Sequence, residues 1–496
     1  MRSRVPVAVF AALLGFAAAQ PAPAPELSPE IEALIAPPDI KFGEAASSGS
    51  RPNVVFIVAD DLGYADIGPY LARALDGSSY TPNLDRLARE GLLFNDAYSN
   101  SPVCSPSRFA LISGRYQYRY PGGSQEPIAA SEEEGVPLGF PTDEPSVPKY
   151  LSEAGYRTGL VGKWHLGWPP TFGPLKTGYT DFFGIYAGAS DYFLYDLIDG
   201  DEPATETGYL TDVLTQRAVE FLEDAAPAAL NGTEPFYLSL HFTSPHWPWS
   251  TRDDYAHSVE INGSLADNES GSVATYRRMI EQLDEGIGRV LDTLDDLGLA
   301  DDTIVYFTSD NGGERRAEGD RRTSGRFSDN WPHVGGKMDL TEGGIRVPWI
   351  VRWPSVIAEG SVSGQNAYGI DFVTSILDAA GVTVNESYPL DGVSLLSVFE
   401  APNATFERPL FWRMFFNEQQ AFRRGDWKYL KINENEYFFN VTADSRERAN
   451  KAKKYPELLD TYRAAYEAWA ETVPPIPDFA TYSLVSSEED FPFPPK

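Results

Sequence analysis

The chain has 496 residues, 42% of them hydrophobic and 13% aromatic, and its 72 acidic and 40 basic side chains give a formal net charge of −32. A field of that sign repels nucleic acid at long range and excludes it as a partner, while a single cysteine, Cys104, excludes a disulfide scaffold. Beyond the N-terminal segments, about 440 residues suffice for one large α/β domain and a smaller one.

In chain order, Arg2 and Arg4 precede the apolar run "VPVAVFAALLGFAAA", and "AAAQ" offers a small-residue cleavage site near Ala19. This layout predicts a signal peptide over 1–19. A membrane anchor is the alternative, but a run this short, with Pro6 inside it, falls below the ~20 apolar residues a span needs. No integral membrane span is expected, and the mature chain is placed outside the cytosol: secreted, in a lysosome-like compartment, or periplasmic. Residues 20–50, rich in Pro and Ala, read as a linker before a folded part that begins near Arg51. Six N-x-S/T sequons, at Asn231, Asn262, Asn268, Asn385, Asn403 and Asn440, fit a secreted glycoprotein.

The next elements alternate. "RPNVVFIVADDLG" is an apolar run of strand length that stops at Asp60 and Asp61, and "DTIVYFTSDNGG" repeats the design and stops at Asp310 and Asn311. "YRTGLVGKWHLG" delivers Lys163 and His165, and "PFYLSLHFTSPHWPW" delivers His246. Between them "TPNLDRLAREGLLF" and "TYRRMIEQLDEGIGRVLDTLDDLG" read as helices; Met279, Leu283, Ile287, Val290, Leu291 and Leu294 form an apolar stripe at helical spacing. Continuous apolar strands alternating with helices predict a largely parallel sheet covered on both faces. Ligands of such sheets sit beyond the carboxyl ends of the strands, so four strands ending in acids, a lysine and histidines point to one site. Each Asp-Asp or Asp-Asn pair is alone compatible with a plain turn. Together, three carboxylates and an amide oxygen form a hard, oxygen-only set suited to Ca²⁺ or Mg²⁺, and no Cys/His cluster has zinc spacing.

Cys104 opens "CSPSRFALISGR". Ser105 can act as N-cap and Pro106 suits the first helical turn. The cysteine is therefore expected at a helix N-terminus, where free N–H groups favour anions, with Arg108 as a planar cationic fork nearby. A small buried hydrophobe and a Cys-His-Asn nucleophile are the other readings of the same residue.

"CSPSR" followed by "SGR" resembles the signature of the type I sulfatases, in which C-x-P-S-R is the recognition sequence for oxidation of the cysteine to formylglycine. "VADDLGYADIG", "GKWHLG", "SPHWP", "FTSDNGG" and "GGKMDLTEGGIRVP" come in the family's order, and "AFRRGDWKYLKI" with "YFFNVTAD" is similar to its small terminal sheet. The likeness runs from about Pro52 to Thr472. It implies an alkaline-phosphatase-like α/β fold: a large, mixed, mostly parallel sheet flanked by helices over 51–385, and a C-terminal subdomain with a smaller antiparallel sheet plus helix over 386–496. It also implies hydrolysis of sulfate esters and maturation by a formylglycine-generating enzyme. Oxidised Cys104, Asp60, Asp61, Asp310 and Asn311 would hold one Ca²⁺. The hydrated aldehyde would attack sulfur, with Arg108 and Lys163 steadying it. His165 would take the proton that expels sulfate, and His246 and Lys337 would bind sulfate oxygens and assist the leaving alcohol. A further polar pocket residue is expected at Ser190 or Asp191, and His333 lies in a variable stretch. A phosphoester or phosphonate hydrolase of the same superfamily, or an inactive calcium- and carbohydrate-binding relative that keeps the Cys104 thiol, are the alternatives.

Charge adds an expectation about the substrate. Between Gly313 and Arg326, Arg315, Arg316, Arg321, Arg322 and Arg326 outnumber Glu314, Glu318 and Asp320. Tethered near Asn311 at one end and Lys337 at the other, they are expected on the pocket rim, gripping carboxylates or sulfates of an anionic saccharide. A solvated loop whose arginines pair with its own acids is the plainer reading.

Overall fold

The computed structural model describes residues 27–40, 51–71, 77–129, 138–265, 271–314 and 327–482. The expected signal peptide, the arginine-rich segment 315–326 and the Asn268 sequon lie outside the described residues. Strand β1 (Asn53–Ala59) is buried along its whole length. Because successive side chains of a strand point to opposite faces, Val54, Phe56 and Val58 enter one core and Val55, Ile57 and Ala59 another. The strands that follow are β2 (Leu92–Phe94), β3 (Ala97–Tyr98), β4 (Arg157–Lys163), β5 (Asp181–Ile185), β6 (Leu197–Asp199), β7 (Glu202–Ala204), β8 (Phe236–His241), β9 (Thr303–Ser309), β10 (Trp349–Arg352), β11 (Ser361–Ser363) and β12 (Ala367–Tyr368).

Ten of them form one sheet in the order β11-β2-β10-β9-β1-β8-β4-β5-β6-β7. The central run from β9 to β5 is parallel, whereas β10 and β6 join antiparallel at its flanks. The first core is closed by helices 104–113, 147–153 and 369–379, the second by helices 82–89, 210–230 and 273–296. The stripe from Met279 to Leu294 faces the second core, and Ser272 starts its helix with a capping box to Thr275. This is the mixed, mostly parallel sheet the sequence predicts. Among the described residues no helix is long and apolar enough to cross a membrane.

A second sheet of β13 (Pro409–Met414), β14 (Gln419–Arg424), β15 (Trp427–Ile432) and β16 (Asn435–Asn440) is an antiparallel meander, covered by helix 456–470. Its core is continuous with Val103, Cys104, Met338, Leu340 and Ile345 of the large domain.

Three local expectations change. The helix read through "TPNLDRLAREGLLF" ends at Arg89, and Leu92–Phe94 instead pairs with β10. The segment read as a linker contains a helix, Pro29–Ile35, capped by the Ser28 hydroxyl. Its Ile31, Leu34 and Ile35 recur at helical spacing and pack on the C-terminal core. Finally, Leu396, Val398 and Phe399, which a division at 385/386 assigns to the C-terminal part, pack in the large-domain core.

Candidate active site

Four neighbouring strands, β9-β1-β8-β4, run parallel and therefore end at the same edge. Beyond that edge stand Asp310 and Asn311, Asp60 and Asp61, His246, and His165 with Lys163. Asp61 and His165 have φ of 60° and 57°, a left-handed backbone that costs non-glycine residues energy and clusters at functional sites. Helix 104–113 points its N-terminus at the same place. Cys104 is its first residue and Val103 its N-cap, so Ser105 is not the cap; the Ser105 hydroxyl accepts instead from the Ile128 amide at 2.8 Å.

The carboxylates converge. Asp60, Asp61 and Asp310 each offer an oxygen within 4.8 Å of the others. Arg108, 1% exposed, donates through Nε and Nη2 to Asp310 Oδ2 at 3.1 and 2.9 Å and through Nη1 to the Lys163 carbonyl at 3.1 Å. Lys163 Nζ lies 2.5 Å from Asp60 Oδ2 and Lys337 Nζ 2.6 Å from Asp61 Oδ2. Asn311 donates its amide N–H groups to Asp61 Oδ1 at 2.7 Å and to the Gly312 carbonyl at 2.9 Å. Among the described residues Asn311 Oδ1 and Asp60 Oδ1 are buried with no hydrogen-bond partner. Orphaned buried oxygens are costly, and two of them beside two further carboxylates fit a hard cation. Burial pushes Asp60 up to about 8, only partly offset by Lys163; burial also acts on Asp61, but Lys337, His246 and Lys163 outweigh it and hold that carboxyl well below its usual range.

The thiol of Cys104 falls within 4.8 Å of both an Asp60 oxygen and a His246 nitrogen. Burial raises its pKa, with Lys163 and Lys337 only partly compensating, so the unmodified side chain is a protonated thiol rather than the thiolate a Cys-His nucleophile needs. The histidines differ in what they offer. His165 Nε2 is 3.1 Å from the Ile128 carbonyl and donates to it, leaving Nδ1 buried and unpartnered among the described residues. Burial, then Lys163 and Arg108, hold its pKa well below the usual value, so it is a neutral proton acceptor. His246 Nδ1 donates to the Trp247 carbonyl, and its Nε2 accepts from Lys337 Nζ at 3.3 Å. Burial and then Lys337 lower its pKa to about 3. Lys337 keeps its proton: against burial, the nearby carboxylates, Asp61 foremost, raise it well above the ordinary lysine value.

A family model described as Sulfatase matches residues 52–382. The chain belongs to the sulfatase family. N-acetylgalactosamine-6-sulfatase of Homo sapiens is 33% identical over 389 residues, which cover 74% of this chain and 69% of that protein. Steryl-sulfatase of Homo sapiens is 26% identical, over 87% of this chain and 90% of its own length. Among solved structures, Ps i-CgsB in complex with k-i-k-neocarrahexaose superposes with a TM-score of 0.75 at 29% identity, covering 87% of this chain and 95% of that one. The chain is thus a sulfate ester hydrolase.

In this sulfatase all ten expected site residues lie within one connected cluster. Sequence reading did not find the residues that hold them. His241, the last residue of β8, places Nδ1 3.4 Å from Arg108 Nη1; a histidine closing an apolar strand was the available signal. Tyr192 donates its hydroxyl to the carbonyls of Thr243 and His246 at 2.9 and 3.0 Å, and Ile128 joins the Cys104 helix to His165 through its backbone alone. Of the two residues left open, Asp191 is buried and uses Oδ1 to cap the amides of Phe193 and Leu194, both at 2.8 Å, while Ser190 bonds the Asp191 carbonyl. His333 donates its Nδ1–H to the Ser445 carbonyl of the C-terminal subdomain at 3.1 Å rather than reaching Lys337.

Proposed function

We propose that this sulfatase removes sulfate from a saccharide ester, using an aldehyde made from Cys104 and one Ca²⁺ held by Asp60, Asp61, oxidised Cys104, Asp310 and Asn311. The observation that carries the reading is the pair of buried, unpartnered oxygens, Asp60 Oδ1 and Asn311 Oδ1, in a carboxylate cluster whose Asp60 lies within 4.8 Å of a cysteine at a helix N-terminus. When bound, Ca²⁺ supplies Lewis-acid polarisation of a sulfate oxygen. The hydrated aldehyde supplies one hydroxyl for attack at sulfur and a second through which sulfate is later expelled.

The remaining steps fall to the chain's own groups. Arg108 and Lys163 fix Asp310 and Asp60, so the carboxylates do not reorganise as charge develops. A bound divalent ion would keep Asp60 ionised, so that Asp60, Asp61 and Asp310 are balanced by Arg108, Lys163 and Lys337 and the ion's own charge leaves the centre positive and matched to a sulfate monoester anion. Lys337 carries the proton for the departing alcohol, and neutral His246 orients the ammonium through Nε2. His165, with its free Nδ1, accepts the proton of the second hydroxyl as sulfate leaves.

The saccharide class is supported by the names of the relatives, N-acetylgalactosamine-6-sulfatase and the k-i-k-neocarrahexaose complex of Ps i-CgsB; the arginine rim expected for it falls on residues outside the described set. We assign the chain to the secretory route as a glycoprotein. Asn231, Asn262, Asn385 and Asn403 are exposed, and Asn440 is half-buried. The test is paired: peptide mass at Cys104, and turnover of an aryl sulfate against an aryl phosphate with excess Ca²⁺. An aldehyde mass with sulfate preference is expected. Preference for phosphate would favour a phosphoester hydrolase, and a thiol mass without turnover would favour an inactive calcium- and carbohydrate-binding relative.

A further inference from the structure

The turn carrying Lys337 is held by partners far away in sequence. The Lys337 amide donates to the Gly313 carbonyl at 3.2 Å, two residues past Asn311, and the Met338 amide donates to the Pro102 carbonyl at 3.0 Å, two residues before Cys104. Met338 itself has φ of 77°, a left-handed conformation that a methionine does not hold unaided. Its carbonyl side is fixed from the C-terminal subdomain. Gln419, the fully buried first residue of β14, donates from Nε2 to the Met338 carbonyl and accepts at Oε1 from the Leu340 amide, both at 2.8 Å. Its second N–H reaches the Phe416 carbonyl at 3.2 Å. A carboxamide offers a donor and an acceptor at fixed spacing, so this side chain pairs with the turn as a neighbouring strand would. Glu447 adds a bond from the same subdomain, accepting from the Glu342 amide at 2.8 Å.

We infer that Gln419 is a positioning residue for Lys337: by clamping Met338 and Leu340 it holds the ammonium on Asp61 and His246. The inference rests on the reading of Lys337 as the group that serves the sulfate and the departing alcohol. Without the clamp, Met338 is released toward an ordinary negative φ, and rotation at that residue carries Lys337 out of the cluster. The C-terminal subdomain is then part of the catalytic apparatus rather than an appendage.

Two measurements on the full-length enzyme test it. The first is the rate at which an amine-acylating reagent labels Lys337, read by peptide mass, in wild type and in Gln419→Met, with buried Lys163 as internal reference. At least tenfold faster labelling of Lys337 with Lys163 unchanged is expected; unchanged Lys337, or equal acceleration of both lysines, overturns the clamp. The second is a double-mutant cycle on kcat/KM with Lys337→Ala. Gln419→Met should cost tenfold or more alone and under twofold in the Lys337→Ala background. Equal cost in both backgrounds defeats the inference. If Gln419→Met does not fold, Gln419→Glu, which keeps the acceptor for Leu340 but loses the donor to Met338, is expected to move both readouts in the same direction. A wild type without turnover would defeat the catalytic role given to Lys337, while the labelling arm would still decide whether Gln419 places it.

Discussion

Lys163 and Asp60 form an ion pair, Nζ to Oδ2 at 2.5 Å, in which neither side chain is exposed. Removing one partner of a buried pair leaves the other uncompensated, at a cost of about 3–5 kcal/mol. Lys163→Met should lose about that much stability in chelator, measured by urea denaturation. Excess Ca²⁺ should restore a large part of it, because the ion supplies the missing positive charge to Asp60. Equal destabilisation with and without Ca²⁺ would mean that Asp60 does not face the cation.

Asp310 ties two functions together, since Oδ2 holds Arg108 while Oδ1 accepts from the Asp61 amide at 3.3 Å. Asp310→Ala should lose bound Ca²⁺ and activity in parallel, as a hard cation is left short of a charged oxygen ligand. Elemental analysis that finds full calcium occupancy in this variant would remove Asp310 from the ligand set.

The Cys-Ser-Pro-Ser-Arg segment is inaccessible in the folded chain: Cys104, Ser105, Ser107 and Arg108 are each at most 2% exposed. On the proposed route, an enzyme that oxidises Cys104 would have to act before folding. The folded thiol form should therefore resist conversion by an added formylglycine-generating enzyme, whereas the urea-unfolded chain or a peptide spanning the motif is converted. In the same site, Cys104→Ser should give at most slow, single-turnover sulfation, because a serine ester has no second hydroxyl with which to expel sulfate. Multiple turnover by the serine variant near the wild-type rate would defeat the aldehyde mechanism.

The parts legible in the sequence share one physical cause. Strands β1 and β9 are continuous apolar runs that break abruptly at Asp60-Asp61 and Asp310-Asn311, and a parallel sheet puts such breaks at one edge. The supporting groups left no such trace. Ile128 acts through its amide and carbonyl, so its side-chain identity carries no signal. Gln419 acts across 79 residues on Leu340, and the first of two adjacent glutamines at the start of a strand looks like any other polar edge residue. The helix Pro29–Ile35 was obscured by Pro and Ala around it, although Ile31, Leu34 and Ile35 mark its buried face. The start of the Cys104 helix was misplaced by two residues because Ser105 has a capping residue's chemistry, which the fold uses on Ile128 instead.

The last prediction concerns pH and stability, and it rests on Glu126, two residues before Ile128. Its carboxylate accepts from the amides of Phe415 and Phe416 at 2.7 and 2.9 Å, joining the His165 side of the site to the C-terminal subdomain. Burial pushes its pKa from 4.5 up to about 7, more than those two amide bonds and Arg413 pull it down. Below pH 4.5 the folded and unfolded chains both hold the proton, so the stabilisation from the raised pKa is fully present. Between 4.5 and about 7 the unfolded chain releases the proton while the folded chain retains it, so stability falls as pH rises and levels off above about 7. At 1.36 kcal/mol per pKa unit, this single group contributes roughly 3 kcal/mol of that fall. Asp66 and Glu447, both raised to about 7 chiefly by burial, act in the same direction, so the enzyme should be more stable at about pH 5 than at about pH 8. Glu126→Gln removes one titrating group while keeping an acceptor oxygen for one of the two amides. Urea denaturation at about pH 5 and about pH 8, with Ca²⁺ held constant, should show the stability difference shrinking by roughly 3 kcal/mol in the variant. An unchanged difference would mean that Glu126 is already ionised in the folded state at about pH 5, and that its two amide bonds outweigh its burial.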